Sequence, residues 1–161
     1  MPGLPAFPLK TENVELMFLG QYEHSIDDKG RLTIPAKYRD LLFEGAFITV
    51  GFDNNLMVLT SSAFNTISDR VNHMSMTDPD VRDLKRMIFG QANQAEIDKA
   101  GRMLIPSYLR EIAGLKTNLI VVGMGDYFEL WSSESWAERN KSLANSVTNS
   151  KRFAAFDLSV R

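Results

Sequence analysis

The chain contains no cysteine. That excludes disulfides, thiolate-held zinc, iron–sulfur clusters and thiol nucleophiles, and it fits a reducing cytoplasm. It also lacks any excess of positive charge. Its 18 Lys and Arg stand against 20 Asp and Glu, a formal net charge of −2. The composition therefore carries none of the basic signature of a typical nucleic-acid-binding domain. No apolar run approaches the roughly 18 residues of a membrane span. The longest, LIVVGMG at 119–125, has the length of a strand. Proline is scarce and unevenly placed: half of the six sit at positions 2, 5 and 8. Residues 1–16 thus read as a mobile leader, without the basic start or apolar core of a signal peptide.

What the chain does have is a repeat. IDDKGRLTIP at 26–35 returns as IDKAGRMLIP at 97–106, with Ile, Asp, Gly, Arg, Ile and Pro unchanged. The offset is 71 residues up to Ala46 and 72 beyond, so that Gly51 falls on Gly123, Leu56 on Phe128, Val58 on Leu130 and Phe64 on Trp136. A duplication of this period governs how the rest is read. At 161 residues, of which 44% are hydrophobic, the chain suits one ordinary domain. One copy of about 45 residues buries too little apolar surface to stand alone. The two are therefore expected to share one β-rich core about an approximate two-fold axis.

Each copy parses alike. An approach strand (GQYEHSI or NQAEI) leads into an Asp–x–x–Gly–Arg turn and a short strand (RLTIP or RMLIP). The closing Pro starts a short helix, since Pro is tolerated at the first helical position. These helices are PAKYRDLL, with Tyr38, Leu41 and Leu42 inward, and PSYLREIAG, with Leu109 and Ile112 inward and Gly114 as its stop. A hairpin follows, around FDNN or MGDY, and then a Ser-capped amphipathic helix. Between the copies TDPDVRDLKRMIFG predicts a linking helix, capped by Thr77 or Asp78, with Val81, Leu84 and Ile88 as its buried stripe. The expected organisation is a leader at 1–16, a first unit at 17–76, the linking helix and second unit at 77–140, and a loosely ordered tail at 141–161. Four cations against Asp157 give that tail a charge of +3.

The repeated turn holds the chemistry. Glycine supplies left-handed backbone at no steric cost. The Asp three residues earlier can accept backbone N–H groups and reach the Arg guanidinium. Asp27, Gly30, Asp98 and Gly101 are thus candidate turn-bracing residues, presenting Arg31 and Arg102 at a fixed angle. One reading is a turn stapled by an exposed ion pair, worth about 0–1 kcal/mol. The other is recognition of phosphate or a guanine edge, for which the guanidinium fork is suited. Local charge does not separate them. Residues 20–42 balance Lys29, Arg31, Lys37 and Arg39 against Glu23, Asp27, Asp28 and Asp40. DNA binding would need the cations sorted onto one face, or several subunits acting together. A carboxylate dyad of Asp27 and Asp98 and a metal site at His24 with Asp27 or Asp28 are weaker readings. The dyad lacks the hydroxyl residue and Gly that follow the Asp of aspartic proteases, and the second copy has Ala95 where His24 would recur. Trp131 and Trp136 occupy core-like positions.

MFLGQYEHSIDDKGRLTIPAKYRDLL, IDKAGRMLIPSYLREIAGL and VVGMGDYFELWSSESW, in this order, resemble the MraZ family of bacterial transcriptional regulators, within the wider AbrB/SpoVT swapped-hairpin group. The likeness spans about Met17 to Asn140. It implies an α+β fold of two tandem swapped-hairpin units sharing one pseudo-two-fold β-barrel core with flanking helices. It also implies a ring-like homo-oligomer, cytoplasmic and nucleoid-associated, that reads short direct repeats in double-stranded promoter DNA upstream of the division and cell-wall genes. No cofactor, membrane or small-molecule substrate is expected. The family signature falls on Asp27 with Arg31 and on Asp98 with Arg102. Lys29 and Arg31 are thereby the expected principal DNA contacts. Arg102 serves either DNA or assembly, since Ala100 stands where Lys29 would recur. The alternative is an antitoxin-like protein-interaction module, because the swapped-hairpin group includes antitoxins.

Overall fold

The computed structural model describes residues 17–160, so the expected leader at 1–16 lies outside the described residues. The first copy gives β1 (Gln21–Ser25), β2 (Arg31–Thr33), α1 (Ala36–Arg39) continued by a 3-10 turn (Asp40–Leu42), β3 (Ala46–Val50), β4 (Leu56–Thr60) and α2 (Ser61–Asn72). After the linking helix α3 (Pro79–Ile88) the same order returns. It runs β5 (Asn93–Ala95), β6 (Arg102–Leu104), α4 (Ser107–Ile112), β7 (Asn118–Gly123), β8 (Tyr127–Ser132) and α5 (Ser133–Leu143), followed by α6 (Ser146–Phe153).

Local chemistry accounts for the boundaries. Thr60 and Ser132 cap α2 and α5 by accepting the Ala63 and Ser135 N–H groups at 3.0 and 3.1 Å. Asp78 caps α3 in the same way, with Pro79 at its first position. Gly114 takes φ +64° just past α4, the left-handed residue that ends a helix.

The strands form an antiparallel six-stranded sheet in the order β1-β7-β8-β4-β3-β5, together with a two-stranded ribbon of β2 and β6. The approach strands cross over. β1 of the first copy pairs with β7 of the second, and β5 of the second pairs with β3 of the first. At the sheet's centre the hairpins meet, with Leu56 opposite Leu130 and Val58 opposite Phe128. Each of those pairs maps onto the other under the repeat. Closure into a barrel is not among these pairings, since β1 and β5 remain the sheet's two edges.

One face of the sheet holds Ala46, Ile48, Leu56, Val58, Leu119, Val121, Phe128 and Leu130, all packed in a single core. The ribbon closes over this face with Leu32 and Met103, which oppose each other and are fully buried. Tyr38 and Phe18 join the same core edge to face, their rings 4.9 Å apart. Both copies thus contribute to one apolar interior, as the size of each requires. Helices cover the other face: Phe64 of α2 stacks on Phe47 at 4.4 Å, and Trp136 of α5 meets Trp131 at 5.3 Å. Thr49 donates to the Ile88 carbonyl and so ties α3 to the sheet. One inward assignment is corrected. Ile112 is 43% exposed, because the buried line of α4 runs through Leu109 and Ala113. One helical step from Ala113 turns Ile112 by about 100° toward solvent.

Candidate nucleic-acid interface

Both repeated turns close as their residues predict. In the first, Asp27 Oδ1 accepts the backbone N–H groups of Lys29 and Arg31 at 3.0 and 2.8 Å, and Oδ2 accepts Arg31 Nε at 2.8 Å. In the second, Asp98 Oδ1 accepts those of Ala100 and Arg102, both at 2.9 Å, and Oδ2 accepts Arg102 Nε at 3.0 Å. Gly30 and Gly101 take φ of +82° and +79°, a conformation L side chains adopt at a cost. The carboxyls of Asp27 and Asp98 are held below their ordinary value. The leading cause is the backbone N–H of Arg31 or Arg102, with the arginine side chain and the Lys29 or Ala100 amide adding to it and burial opposing.

The bracing leaves each arginine half used. Nε is committed to the carboxylate, and among the described residues neither Nη of Arg31 or Arg102 makes a hydrogen bond. Lys29 is exposed at the tip of its turn. The ribbon then brings the two arginines together. Arg31 pairs with Leu104 and Arg102 with Thr33, so all four side chains share one face while Leu32 and Met103 point into the core. Arg31 and Arg102 stand at diagonal corners, about 7 Å apart along the strands and about 5 Å across them.

Sequence reasoning missed two further arginines. Arg110 lies against Gly30, where a Cβ would fall 2.9 Å from its Cζ. Arg39 lies against Gly101, where a Cβ would fall 2.3 Å from its Cζ. Each belongs to the opposite copy. Its Nε donates to a carbonyl of its own strand end, Arg39 to Ile34 at 2.9 Å and Arg110 to Ile105 at 3.0 Å. The signal available was the recurrence itself, since IPAKYR and IPSYLR both place Arg five residues after the Ile. The two turns thus gather Lys29, Arg31, Arg110, Lys99, Arg102 and Arg39 against Asp27, Asp28 and Asp98. Over these nine residues six positive charges less three negative leave +3.

The remaining constellations have simpler accounts. A dyad sharing one proton pushes one carboxyl upward. Asp27 and Asp98 are both pulled down, each saturated by its own turn. His24 is half-buried beside Tyr22, and burial lowers its pKa. Among the described residues no group of three His, Cys, Asp or Glu side chains could hold a metal ion, and no helix is long and apolar enough to cross a membrane. An open groove of about 690 Å³ lies between α2 and the 3-10 turn, lined by Phe18, Leu41, Phe43, Leu59, Ile67 and Tyr127.

Two successive segments, residues 17–87 and 88–156, each match one family model, described as "MraZ protein, putative antitoxin-like". The chain belongs to the MraZ family. The boundary between matches falls at the end of the linking helix, so each match holds one copy of the repeated turn and the linking helix goes with the first match, not with the second as expected. Relatives named transcriptional regulator MraZ include one from Herpetosiphon aurantiacus, 42% identical over 80% of this chain and 90% of its own length. One from Roseiflexus sp. is 45% identical over 74% and 84%, and one from Heliobacterium modesticaldum is 36% identical over 88% and all of its own length.

Proposed function

We propose that this protein is a sequence-specific DNA-binding transcriptional regulator that lays its β2–β6 ribbon into the major groove. The observation that carries this reading is the outward face of that ribbon. Two arginines, oriented by their own carboxylates and with Nη groups unused, flank Thr33 and Leu104. A major groove about 12 Å wide admits a two-stranded ribbon, guanine offers an arginine two acceptors, and thymine offers a methyl group to an apolar side chain. Lys29 is assigned to phosphate, and Arg31 with Arg102 to base edges or phosphate. The relatives' names support regulation of transcription.

The finer reading rests on family likeness. It comprises short direct repeats upstream of the division and cell-wall operon, a ring-like homo-oligomer, a nucleoid-associated place in the cytoplasm and a swapped-hairpin barrel in two units, 17–76 and 77–140, followed by a tail. The crossing of β1 and β5 between copies supports the swapped arrangement. A ring also answers the charge balance. One chain neutralises few phosphates, whereas several linked copies, each on one repeat, raise affinity through effective concentration. The test is a salt-dependent titration of the protein's own upstream region beside measurement of assembly size. Arg31→Ala is expected to cost about 1–3 kcal/mol of affinity, enough to remove the band shift at concentrations where the wild type gives one, while the assembly persists; undiminished binding would end the proposal. A second reading, an antitoxin-like partner of another protein, is favoured by the family description and by the groove with exposed Phe43. It predicts a stable protein complex and no preference for DNA sequence.

A further inference from the structure

We propose that Arg39 and Arg110 are positioning residues that act crosswise, each fixing the arginine-bearing turn of the opposite copy. The geometry is a closed circuit that occurs twice. The Ile34 N–H donates to the Gly101 carbonyl at 2.8 Å, the Ile34 carbonyl accepts Arg39 Nε, and the Arg39 guanidinium returns to lie against Gly101. In the mirrored circuit the Ile105 N–H donates to the Gly30 carbonyl at 2.9 Å, the Ile105 carbonyl accepts Arg110 Nε, and the Arg110 guanidinium lies against Gly30. Ile34 and Ile105 are fully buried, so both circuits are anchored in the core.

The consequence is directional. Gly30 immediately precedes Arg31, and its left-handed backbone sets the direction in which Arg31 leaves the turn. The group packed on Gly30 comes from the second copy, not the first. Without Arg110, Gly30 keeps its Ile105 bond but loses the planar group that fills the space where a Cβ would be. Glycine there is free to sample other backbone states. Arg110 therefore governs Arg31, and Arg39 governs Arg102. A turn held by its own carboxylate alone would not respond to loss of the opposite arginine, and a residue acting only in general stability would serve both turns alike.

This inference rests on the DNA reading for its functional half, and the experiment separates the two. Hydrogen exchange is followed in the intact full-length assembly over segments 26–33 and 97–104, for Arg39→Ala, Arg110→Ala and the charge-keeping Arg39→Lys and Arg110→Lys. Arg110→Ala is expected to speed exchange about tenfold in the first turn and leave the second within twofold, with Arg39→Ala giving the converse. Lysine keeps the charge but not the planar fork and should rescue little. In parallel, affinity for an upstream duplex is measured for each variant alone and combined with Arg31→Ala or Arg102→Ala. Arg110→Ala is expected to weaken binding about tenfold in the wild-type and Arg102→Ala backgrounds, and less than twofold once Arg31 is gone. Equal loosening of both turns, or losses additive with Arg31→Ala, would overturn the crosswise role. So would a salt slope reduced in the alanine variant and restored, with the affinity, by lysine, the mark of a direct phosphate contact. If Arg31→Ala binds the duplex normally, the DNA reading fails, and the exchange pattern alone decides whether the crosswise brace exists.

Discussion

Turns 27–31 and 98–102 close with the same five hydrogen bonds, and no length differs from its counterpart by more than 0.2 Å. Their tips differ. The first reads Asp28–Lys29 where the second reads Lys99–Ala100. Within the five residues the first turn therefore sums to zero (Lys29 and Arg31 against Asp27 and Asp28) and the second to +1 (Lys99 and Arg102 against Asp98). The second pair is also more open, with Arg102 and Asp98 side chains 37% and 38% exposed against 28% and 32% for Arg31 and Asp27. Identical framework geometry is thus compatible with different outward chemistry. The framework is set by what Asp, Gly and Arg can do within five residues; among the described residues the side chains of Asp28, Lys29 and Lys99 make no hydrogen bond or ion pair.

The comparison can be broken most strongly at the glycines. Gly101→Ala combines left-handed strain with a Cβ set 2.3 Å from Arg39 Cζ, and should cost about 3 kcal/mol in denaturant unfolding. Gly30→Ala, at 2.9 Å from Arg110 Cζ, should cost about 2 kcal/mol. Gly114→Ala, with φ +64° and nothing near, reports the backbone contribution alone, about 1 kcal/mol. Equal losses at all three would show that the opposing arginines contribute nothing to the glycine requirement.

Duplex titration sharpens the contrast between Arg31 and Arg102. Arg31→Ala is expected to cost about 1–3 kcal/mol of affinity and to relax preference at one base position. Arg102→Ala should match it if the second turn reads DNA, and leave affinity unchanged if that turn serves assembly. Smaller effects belong to the tips. Lys29→Ala should weaken binding several-fold on every sequence and lower the salt slope by about one, with Ala100→Lys doing the reverse. A sequence-dependent response from Lys29→Ala would move that residue from phosphate to base.

The smallest effect is on acid stability. The folded carboxyls of Asp27 and Asp98 lie below the ordinary 3.8. Their ionised bracing is therefore fully present above that value and fades as pH falls through the lower folded value. The stability gap between wild type and Asp27→Asn should hold from neutral pH down to about 4.5 and narrow below 3.8. A gap that widens on acidification would contradict the depressed pKa. Asp98→Asn should show a smaller gap, its pair being the more exposed.

Which parts of this were legible beforehand follows from contact range. The turns, caps, hairpins and linking helix are written within a few residues each, and Asp27 with Arg31 could be paired by inspection. The shared core followed from size, and the approximate two-fold axis from the repeat. The pairing of β2 with β6, which puts Arg31 and Arg102 on one face, joins residues about 70 positions apart and has no local signature. Arg39 against Gly101 and Arg110 against Gly30 are equally remote. Ile112 was misplaced for a related reason: a six-residue helix has too few turns for its apolar pattern to define which side faces inward.

The diverged tips have a consequence beyond affinity. A dimer of identical units looks the same from either end and favours palindromic sites. Here the two halves are fused and unlike, one tip bearing Lys29 and the other Lys99, on a framework that keeps both arginines in register. Such a chain has polarity, and under the proposed reading its two ends would present unlike surfaces to a duplex.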